Sequence, residues 1–254
     1  MDLELESKRA VVTGGSRGIG KAVARVLAHE GCDVALVARS PEPLQEAAAE
    51  LAAATGRQVV PVVADTGSTD SVAAMVTSAQ EQLGGIDILV NSAAKPMGQS
   101  APPKLADITD ELFWDDVNVK VLGYLRCAQA VAPLMIEQGW GRIIHISSRA
   151  HLGNPTQANY SAAKAGLIGM AKALAIEEGR YGITVNCVAP GFMETEMVQA
   201  LPTYETIKER AIQMQPIKRV GRPDDIADAV AFLASERAGF ISGEVLHVTG
   251  GRYG

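Results

Sequence analysis

Short apolar runs alternate with amphipathic helical segments along almost the whole chain, and this alternation limits the fold more than any other feature of the sequence. Seven runs are rich in β-branched residues or Leu: RAVVTGG, DVALVAR, QVVPVVAD, IDILVNS, GRIIHISS, ITVNCVAP and EVLHVTGG. Strands that alternate with helices form parallel sheets covered by helices on both faces. We therefore predict one doubly wound, seven-stranded parallel sheet.

No linker, repeat or low-complexity tract divides the 254 residues, of which 47% are hydrophobic and 20% charged. This composition favours one compact domain over residues 1–254. Two long segments follow the fourth and sixth predicted strands, AAKPMGQSAPPKL and GFMETEMVQALPTYETIKERAIQMQPIKRVG. Loops at the carboxyl ends of parallel strands bind ligands, so we place the substrate there, under a lid at about residues 192–217.

Charge and cysteine content exclude several classes of function. A formal net charge of −6 argues against a nucleic-acid surface, which needs clustered Lys and Arg. Cys32, Cys127 and Cys187 lie far apart in apolar runs, without the spacing of a metal site, and are expected to be reduced core thiols. The sequence also has no signal-like start and no long uncharged membrane span. We expect a cytoplasmic protein that binds no metal, nucleic acid or membrane.

A glycine-rich stretch, VVTGGSRGIGKAVA, joins the first predicted strand to the first predicted helix. Gly14, Gly15, Gly18 and Gly20 would let the backbone turn sharply and approach a pyrophosphate at the positive end of the helix. The spacing G-x3-G-x-G differs from the usual dinucleotide fingerprint. An ordinary glycine-rich turn is therefore an alternative at this point.

The end of the second predicted strand indicates which dinucleotide would bind. An acidic residue there bonds the ribose of NAD, whereas a nearby Arg accommodates the 2′-phosphate of NADP. Here Ala38 occupies the position of the acid, Arg39 follows it, and Arg17 lies in the glycine loop. Because Arg binds phosphate through two parallel hydrogen bonds, we predict NADP(H). The alternative is that Arg39 is a solvated surface charge.

The stretch YSAAK places Tyr160 and Lys164 four residues apart, on one face of a predicted helix. A free tyrosine titrates near pH ~10 and is a poor proton donor at neutral pH unless a nearby cation lowers its pKa. Taken alone, such pairs are mostly ordinary neighbours on a helix surface.

Together the motifs identify a family, because the chain resembles the classical short-chain dehydrogenases/reductases over nearly its whole length. TGGSRGIG, NVK, IIHISS, YSAAK and VAPGF match that family's motifs in order and spacing. Within the family the sequence is most similar to bacterial 3-oxoacyl-[acyl-carrier-protein] reductases. The resemblance implies a single-domain Rossmann fold and NADPH-dependent reduction of a carbonyl group.

The resemblance also implies roles for four catalytic residues. Tyr160 would give the proton to the carbonyl oxygen, and Lys164 would lower the pKa of Tyr160 and bind the nicotinamide ribose. Ser148 would hydrogen-bond the substrate oxygen, and Asn118 would hold a water that links Lys164 to solvent. The cofactor-binding residues carried over from the family, together with Arg39, Tyr160 and Lys164, are Gly14, Ser16, Arg17, Gly18, Ile19, Gly20, Asp65, Thr66, Asn91, Ala93, Pro190, Gly191 and Thr195.

The match departs from the family at two places. NSAA stands where the family has NNAG, so Ser92 and Ala94 replace an Asn and a Gly. Ser147 has the family's usual separation from the tyrosine, whereas Ser148 aligns without a gap along GRIIHISS. Strand alternation sends these two serines to opposite faces, so only one can reach the substrate. We expect it to be Ser148.

The substrate is the least determined feature. Carrier-protein reductases use basic residues beside the active site to dock an acidic carrier, but Gly139 and Tyr181 occupy two of those positions, with Arg142 and Arg180 close by. A 3-oxoacyl thioester, with an acyl carrier protein as a candidate partner, leads over small ketones and secondary alcohols. A nucleotide-sensing scaffold is the non-enzyme alternative. The resemblance further implies a homotetramer.

Overall fold

The computed structural model describes residues 2–94 and 103–252. In these two ranges seven strands form one parallel sheet in the order β3-β2-β1-β4-β5-β6-β7, which confirms the predicted doubly wound sheet. The strands are β1 (Arg9–Thr13), β2 (Asp33–Ala38), β3 (Val59–Val63), β4 (Ile88–Asn91), β5 (Gly141–Ile146), β6 (Ile183–Pro190) and β7 (Val245–Val248). Most of the predicted loop after β4 lies in residues 95–102, outside the described residues.

Helices cover both faces of the sheet, as the strand pattern predicts. They are α1 (Gly18–His29), α2 (Pro41–Thr55), α3 (Thr69–Leu83), α4 (Asp110–Val117), α5 (Gly123–Gln138), α6 (Ala158–Glu178), α7 (Glu196–Gln199), α8 (Tyr204–Met214) and α9 (Pro223–Ala234). Successive strand residues point to opposite faces. Ala10 and Val12 therefore pack with α1, α2 and α9, whereas Val11 packs with α3, α5 and α6.

The chain reverses its direction of travel across the sheet at β1. Thr13, at the end of β1, pairs with Val37 of β2 on one side and with Asn91 of β4 on the other. Loops that leave such neighbouring strands in opposite directions open a crevice at their carboxyl ends. The glycine loop after β1 and the segments after β4, β5 and β6 all begin at this edge.

The long helical stretch Asp110–Gln138 is interrupted. Between α4 and α5 the segment Asn118–Leu122 forms a π-turn, in which the amide of Gly123 donates to the carbonyl of Asn118 five residues earlier. A π-turn adds a residue to the helical repeat and changes which side chains face inward, and such turns are frequent at functional sites.

The stretch Asp110–Gln138, which contains this turn, is long and apolar enough to cross a membrane by length and composition alone. However, 44% of its most apolar window is buried in the fold. Tyr124, Cys127, Val131 and Met135 of α5 are all fully buried against the sheet. The apolar character of this helix is therefore accounted for by the protein core.

Candidate active site

The glycine loop leaves no room for side chains at the positions that the sequence singled out. Gly14 has a φ of +70°, and a β-carbon there would lie 2.9 Å from the carbonyl oxygen of Ser92. A β-carbon at Gly20 would lie 2.2 Å from the carbonyl oxygen of Gly14. Only glycine permits this close packing of the loop against α1 and the β4 end.

The first turn of α1 is open to an anion. Helix α1 begins at Gly18, its N-cap residue Arg17 makes no side-chain capping bond, and the first turn contains no acidic residue. The first amides of a helix have no partner within it, and the helix dipole adds positive potential. The free amides and the helix dipole fit the charge of a pyrophosphate. Glu196 is an acidic group beside them, with its Oε2 4.0 Å from the β-carbon position of Gly18.

Two arginines flank the cradle. The side chains of Arg17 and Arg39 are exposed and form no hydrogen bond or ion pair with any residue in 2–94 or 103–252. Arg39 directly follows β2, where the sequence lacks the acid of an NAD site. Both guanidinium groups are free to bind a phosphate group at this edge.

The predicted adenine contacts lie at the end of β3. Asp65 is exposed and accepts a hydrogen bond from the amide of Gly67 at 2.9 Å, whereas Thr66 is buried. Asn118 donates from its side-chain amide to the carbonyl of Gly67 at 3.4 Å and accepts from Arg126 at 2.9 Å. These contacts join the α4–α5 junction to the edge of the cradle.

Asn91 and Ala93, predicted to contact the cofactor ribose, are fixed to the core. Asn91 is fully buried and donates to the carbonyl of Tyr124 at 3.3 Å. The carbonyl of Ala93 accepts from the Tyr124 hydroxyl at 3.1 Å, and its amide donates to Thr13 at 3.2 Å. The loop after β4 is thereby held beside the glycine loop.

The structure separates the roles of the two adjacent serines. Ser147 is buried and donates to the carbonyl of Lys164 at 2.9 Å, so its hydroxyl supports helix α6. Ser148 is half-buried, its hydroxyl accepts from the amide of Ala150 at 3.1 Å, and its hydrogen bond with Tyr160 acts to lower the pKa of that tyrosine. Of the two serines, Ser148 therefore faces Tyr160, and its catalytic role stays a prediction.

Lys164 is buried, and its ammonium donates to the carbonyl of Ile146 at 2.6 Å. Its Nζ lies 5.8 Å from the centre of the Tyr160 ring. Burial lowers the pKa of Lys164 to about 7, and the charge of Lys120 is the second cause of this shift. This lysine is therefore poised to change its charge near neutral pH.

Burial dominates the environment of Tyr160. It raises the pKa of Tyr160 above its ordinary value, which the hydrogen bond with Ser148 opposes and the charge of Asp116 reinforces. Desolvation disfavours the phenolate, and it outweighs the hydrogen bond. The lowering of this pKa by Lys164, which the resemblance implies, stays a prediction.

Asn118 is held by its neighbours at the junction of α4 and α5. Its side chain contacts Gly67 and Arg126, and its carbonyl accepts from Gly123 and Arg126. Its role towards a water, which the resemblance implies, stays a prediction. Lys120, two residues later on the π-turn, also approaches the site, with its Nζ 5.4 Å from the Tyr160 ring centre. Lys120 was not among the predicted site residues, and its place within the motif NVK was the signal that could have identified it.

The predicted nicotinamide contacts follow β6. A β-carbon at Gly191 would lie 2.9 Å from the Cα of Thr249, so the chain passes closely there. Thr195 caps α7 and approaches the glycine loop, since its Cγ2 lies 3.6 Å from the β-carbon position of Gly18. The segment after β6 thus reaches the cradle at the start of α1.

The segment predicted as a lid contains α7 and α8. Glu194 and Lys208 form an ion pair at 3.2 Å that links its two parts. Three methionines lie in this segment: Met193 is buried in the core, whereas Met197 and Met214 are partly exposed. Only the latter two can line an open surface.

Arg142 is not available for docking a carrier protein. It is 3% exposed at the start of β5, where it donates to the carbonyls of Ser235 and Gly141 and pairs with Glu236. Ser148 lies beyond the opposite end of the same strand, about 20 Å away at the usual rise per residue. Arg180 lies next to the start of β6, at the same far edge.

Two histidines meet beside the site. His151 lies in the turn after Ser148, and its Nε2 is 2.8 Å from the Nε2 of His247 in β7. His151 is half-buried. His145 is a buried core residue, and burial lowers its pKa to about 3.

Comparison with known proteins agrees with this arrangement. A family model described as enoyl-(acyl carrier protein) reductase matches residues 14–252. The chain is 42% identical over 249 residues to a (2S)-[(R)-hydroxy(phenyl)methyl]succinyl-CoA dehydrogenase subunit, BbsD, of Thauera aromatica, covering 98% of this chain and 97% of the relative. It is 41% identical over 249 residues to the 3-oxoacyl-[acyl-carrier-protein] reductase FabG of Staphylococcus epidermidis, covering 97% and 99%.

Solved structures of sugar and diketone reductases have the same fold. L-sorbose reductase from Gluconobacter frateurii, in complex with NADPH and L-sorbose, superposes with a TM-score of 0.91 at 33% identity, covering 100% of this chain and 99% of the other. Levodione reductase superposes with a TM-score of 0.91 at 32% identity, covering 97% of each chain.

Proposed function

The chain belongs to the classical short-chain dehydrogenase/reductase family of oxidoreductases, and from this we propose that it is an NADPH-dependent carbonyl reductase. The observation that carries the proposal is the joint placement of Ser148, Tyr160 and Lys164 near a glycine cradle. Beside the cradle lie Arg17 and Arg39, whose side chains have no partner within residues 2–94 and 103–252. A nucleotide-sensing scaffold, the alternative, would not need Ser148, Tyr160 and Lys164.

NADPH would lie along the carboxyl edge of the sheet. Its pyrophosphate would contact the amides of Gly18, Ile19 and Gly20, and Ser16 and Gly14 would border it. Arg17 and Arg39 would bind the 2′-phosphate, and Asp65 and Thr66 would contact the adenine. Asn91 and Ala93 would pass the nicotinamide ribose, and Pro190, Gly191 and Thr195 would hold the nicotinamide itself. This placement is supported by the approach of Thr195 to Gly18.

When bound, NADPH supplies a hydride to the carbonyl carbon. Tyr160 gives its phenolic proton to the carbonyl oxygen, so that the C=O π bond is replaced by one C–H bond and one O–H bond. Ser148 donates to the same oxygen and stabilises its developing charge. Lys164 binds the ribose hydroxyls and holds positive charge beside the phenol. Asn118 would hold a water that links Lys164 to solvent, beside the contacts of its carbonyl with Gly123 and Arg126.

A 3-oxoacyl thioester is the proposed substrate. The names of two relatives that are 41–42% identical over nearly the full chain describe enzymes of acyl thioesters, one on a coenzyme A ester and one on an acyl carrier protein. Because Arg142 is buried and Arg180 lies at the far edge, neither supports docking of an acidic carrier here. We therefore favour a coenzyme A thioester over a carrier-bound one.

Small ketones are the second candidate. L-sorbose reductase and levodione reductase share the fold at 32–33% identity. Met197 and Met214, which are partly exposed in the segment 192–217, could give the proposed lid an adaptable apolar surface for either substrate.

Assembly and location are proposals as well. Helix α6 exposes Ile176, Phe240 lies fully exposed, and β7 exposes part of Leu246, which supports burial of these surfaces in a homotetramer. Cys32, Cys127 and Cys187 are buried free thiols, which supports a reducing compartment such as the cytoplasm.

The test is NADPH oxidation by the purified protein with acetoacetyl-coenzyme A, acetoacetyl carrier protein and simple ketones, each repeated with NADH. Tyr160→Phe is assayed in parallel, with Tyr181→Phe as a matched control at the far edge of the sheet. We expect thioester turnover that requires NADPH and Tyr160 and is unaffected in the control. Turnover of ketones alone would replace the substrate assignment, and cofactor binding without turnover of any carbonyl would favour the scaffold.

A further inference from the structure

Lys120 is a buried cation that the proposed mechanism does not use. Its residue is 4% exposed, and its ammonium is paired with the carboxylate of Asp116, one helical turn earlier. Lysine is almost never buried to this extent unless it is paired. The second oxygen of Asp116 accepts from the side-chain amide of Asn159 at 2.8 Å, which ties the pair to the residue that precedes Tyr160.

Two ammonium groups therefore flank one phenol. The Nζ of Lys120 lies 5.4 Å from the centre of the Tyr160 ring, and the Nζ of Lys164 lies 5.8 Å from it. Both distances are within the range of cation–π attraction. Lys164 comes from the helix of Tyr160 itself, whereas Lys120 comes from the π-turn between α4 and α5.

We propose that Lys120 and Asp116 form a positioning pair for Tyr160, in which Lys120 favours loss of the phenolic proton and Asp116 opposes it. This inference rests on the proposed function, because it assigns the pair to the proton exchange of the same tyrosine. The balance of the two charges sets the pH range in which Tyr160 takes up and gives off its proton.

Several other groups around Tyr160 are uncharged, so the charges of the pair can act on the phenol. Ser148, after β5, contributes a neutral hydroxyl, and His145 of β5 is held neutral by burial. Burial raises the pKa of Tyr124 on α5, and raises that of Cys187 on β6 to about 12, so both are uncharged at neutral pH. His151, on the turn after Ser148, contacts His247 of β7, and burial lowers the pKa of His151. The charges that the proposal assigns to the phenol besides Lys164 are those of the pair.

The charge of Asp116 raises the pKa of Tyr160, and a cation as near to the ring as Lys120 acts on the phenol in the opposite direction. Removing one member should therefore shift the titration of Tyr160 in one direction, and removing the other should shift it in the opposite direction. For charges several ångströms from the phenol at an intermediate dielectric, a shift of about one pH unit is expected for each.

The experiment measures the pH dependence of kcat/KM for oxidation of a secondary alcohol, the direction in which Tyr160 must accept a proton. Lys120→Met should move the profile to higher pH by about one unit, and Asp116→Asn should move it to lower pH by a similar amount. Lys120→Arg should keep the wild-type profile, and the double variant should return towards it.

Ultraviolet titration of tyrosinate, with Tyr160→Phe as the reference to be subtracted, gives the same shifts without turnover. If Lys120→Met does not fold, Lys120→Gln removes the same charge with a polar side chain, and Asp116→Asn tests the opposite sign. Unchanged profiles, or shifts in the same direction, would overturn the inference while leaving the reductase assignment intact. Absence of any Tyr160-dependent turnover in the wild type would overturn both.

Discussion

At the amino ends of the strands, positive side chains have carboxylate partners, whereas at the carboxyl ends several do not. Arg9, which begins β1, binds both oxygens of Asp87 at 2.6 and 2.8 Å. Arg142, which follows the first residue of β5, pairs with Glu236 and packs on the ring of Trp140 at 4.2 Å. These contacts join the starts of β1 and β5 to the loops and helices around them.

At the carboxyl ends of the strands, several positive side chains lack a carboxylate partner among the described residues. Arg17 and Arg39 have no side-chain partner in the part of the chain that the structure describes. Lys164 donates to a neutral carbonyl and is destabilised by the like charge of Lys120. Cations that are left unpaired, or buried against each other, reduce stability unless a ligand offsets them. The comparison teaches that one edge of the sheet stabilises the fold and the other is arranged for a ligand.

Among the tests of this difference between the two edges, Lys164→Met should have the largest effect. We expect kcat/KM to fall by about 10²- to 10⁴-fold, because the ribose contact and the charge beside Tyr160 are both lost. At the same time the melting temperature should rise, because a buried cation is removed. Lys172→Met, an exposed position on the same helix, is the control that should change neither quantity.

The pH dependence of this stability gain follows from the pKa of Lys164, which is lowered to about 7 from an ordinary value of 10.5. Between these values the unfolded chain binds a proton that the folded chain does not, so wild-type stability rises with pH. The melting temperature of Lys164→Met should therefore exceed that of the wild type most below pH 7 and approach it near pH 10. A gain that grows with pH would contradict the assignment.

A smaller effect is expected for Arg39→Glu. Loss of a charged hydrogen bond to the 2′-phosphate should raise the KM for NADPH by about 10- to 100-fold and leave the KM for NADH little changed. The change is measured in steady-state kinetics with both cofactors. Arg180→Glu, the same change in charge at the far edge, serves as the matched control. Equal effects on both cofactors would mean that Arg39 does not contact the phosphate.

The smallest effect is expected at the amino end. Asp87→Asn removes one of the charged partners of Arg9 and should lower the melting temperature by about 2–6 °C. The specific activity, measured well below the transition, should stay at the wild-type level because Asp87 lies far from Ser148 and Tyr160. Asp228→Asn, an exposed position on α9, is the control. A loss of activity in the folded Asp87 variant would break the division between the two edges.

Much of the fold could be predicted because strand periodicity and crossover rules act locally. All seven predicted strands occur, and the glycines at positions 14 and 20 are required by close backbone contacts. The predicted serine also faces Tyr160, because alternation along a strand does not depend on distant residues.

The parts that were not predicted depend on geometry that no motif reports. The π-turn changes the inward face after Asn118, so that Lys120 approaches Tyr160. Arg142 lies near the docking residues of relatives in sequence, but burial at the start of β5 removes it from any surface. The raised pKa of Tyr160 likewise results from desolvation, which sequence spacing does not measure.

The most direct test of the central claim follows the hydride itself. The protein is incubated with NADPH that carries deuterium at the transferred position of the nicotinamide, together with acetoacetyl-coenzyme A or a simple ketone. The alcohol product is then analysed by mass spectrometry. We predict one deuterium at the carbinol carbon with the wild type, and product formation at least ~100-fold slower with Tyr160→Phe. Bound NADPH without deuterium transfer to any carbonyl, or an equal rate in Tyr160→Phe, would contradict the claim.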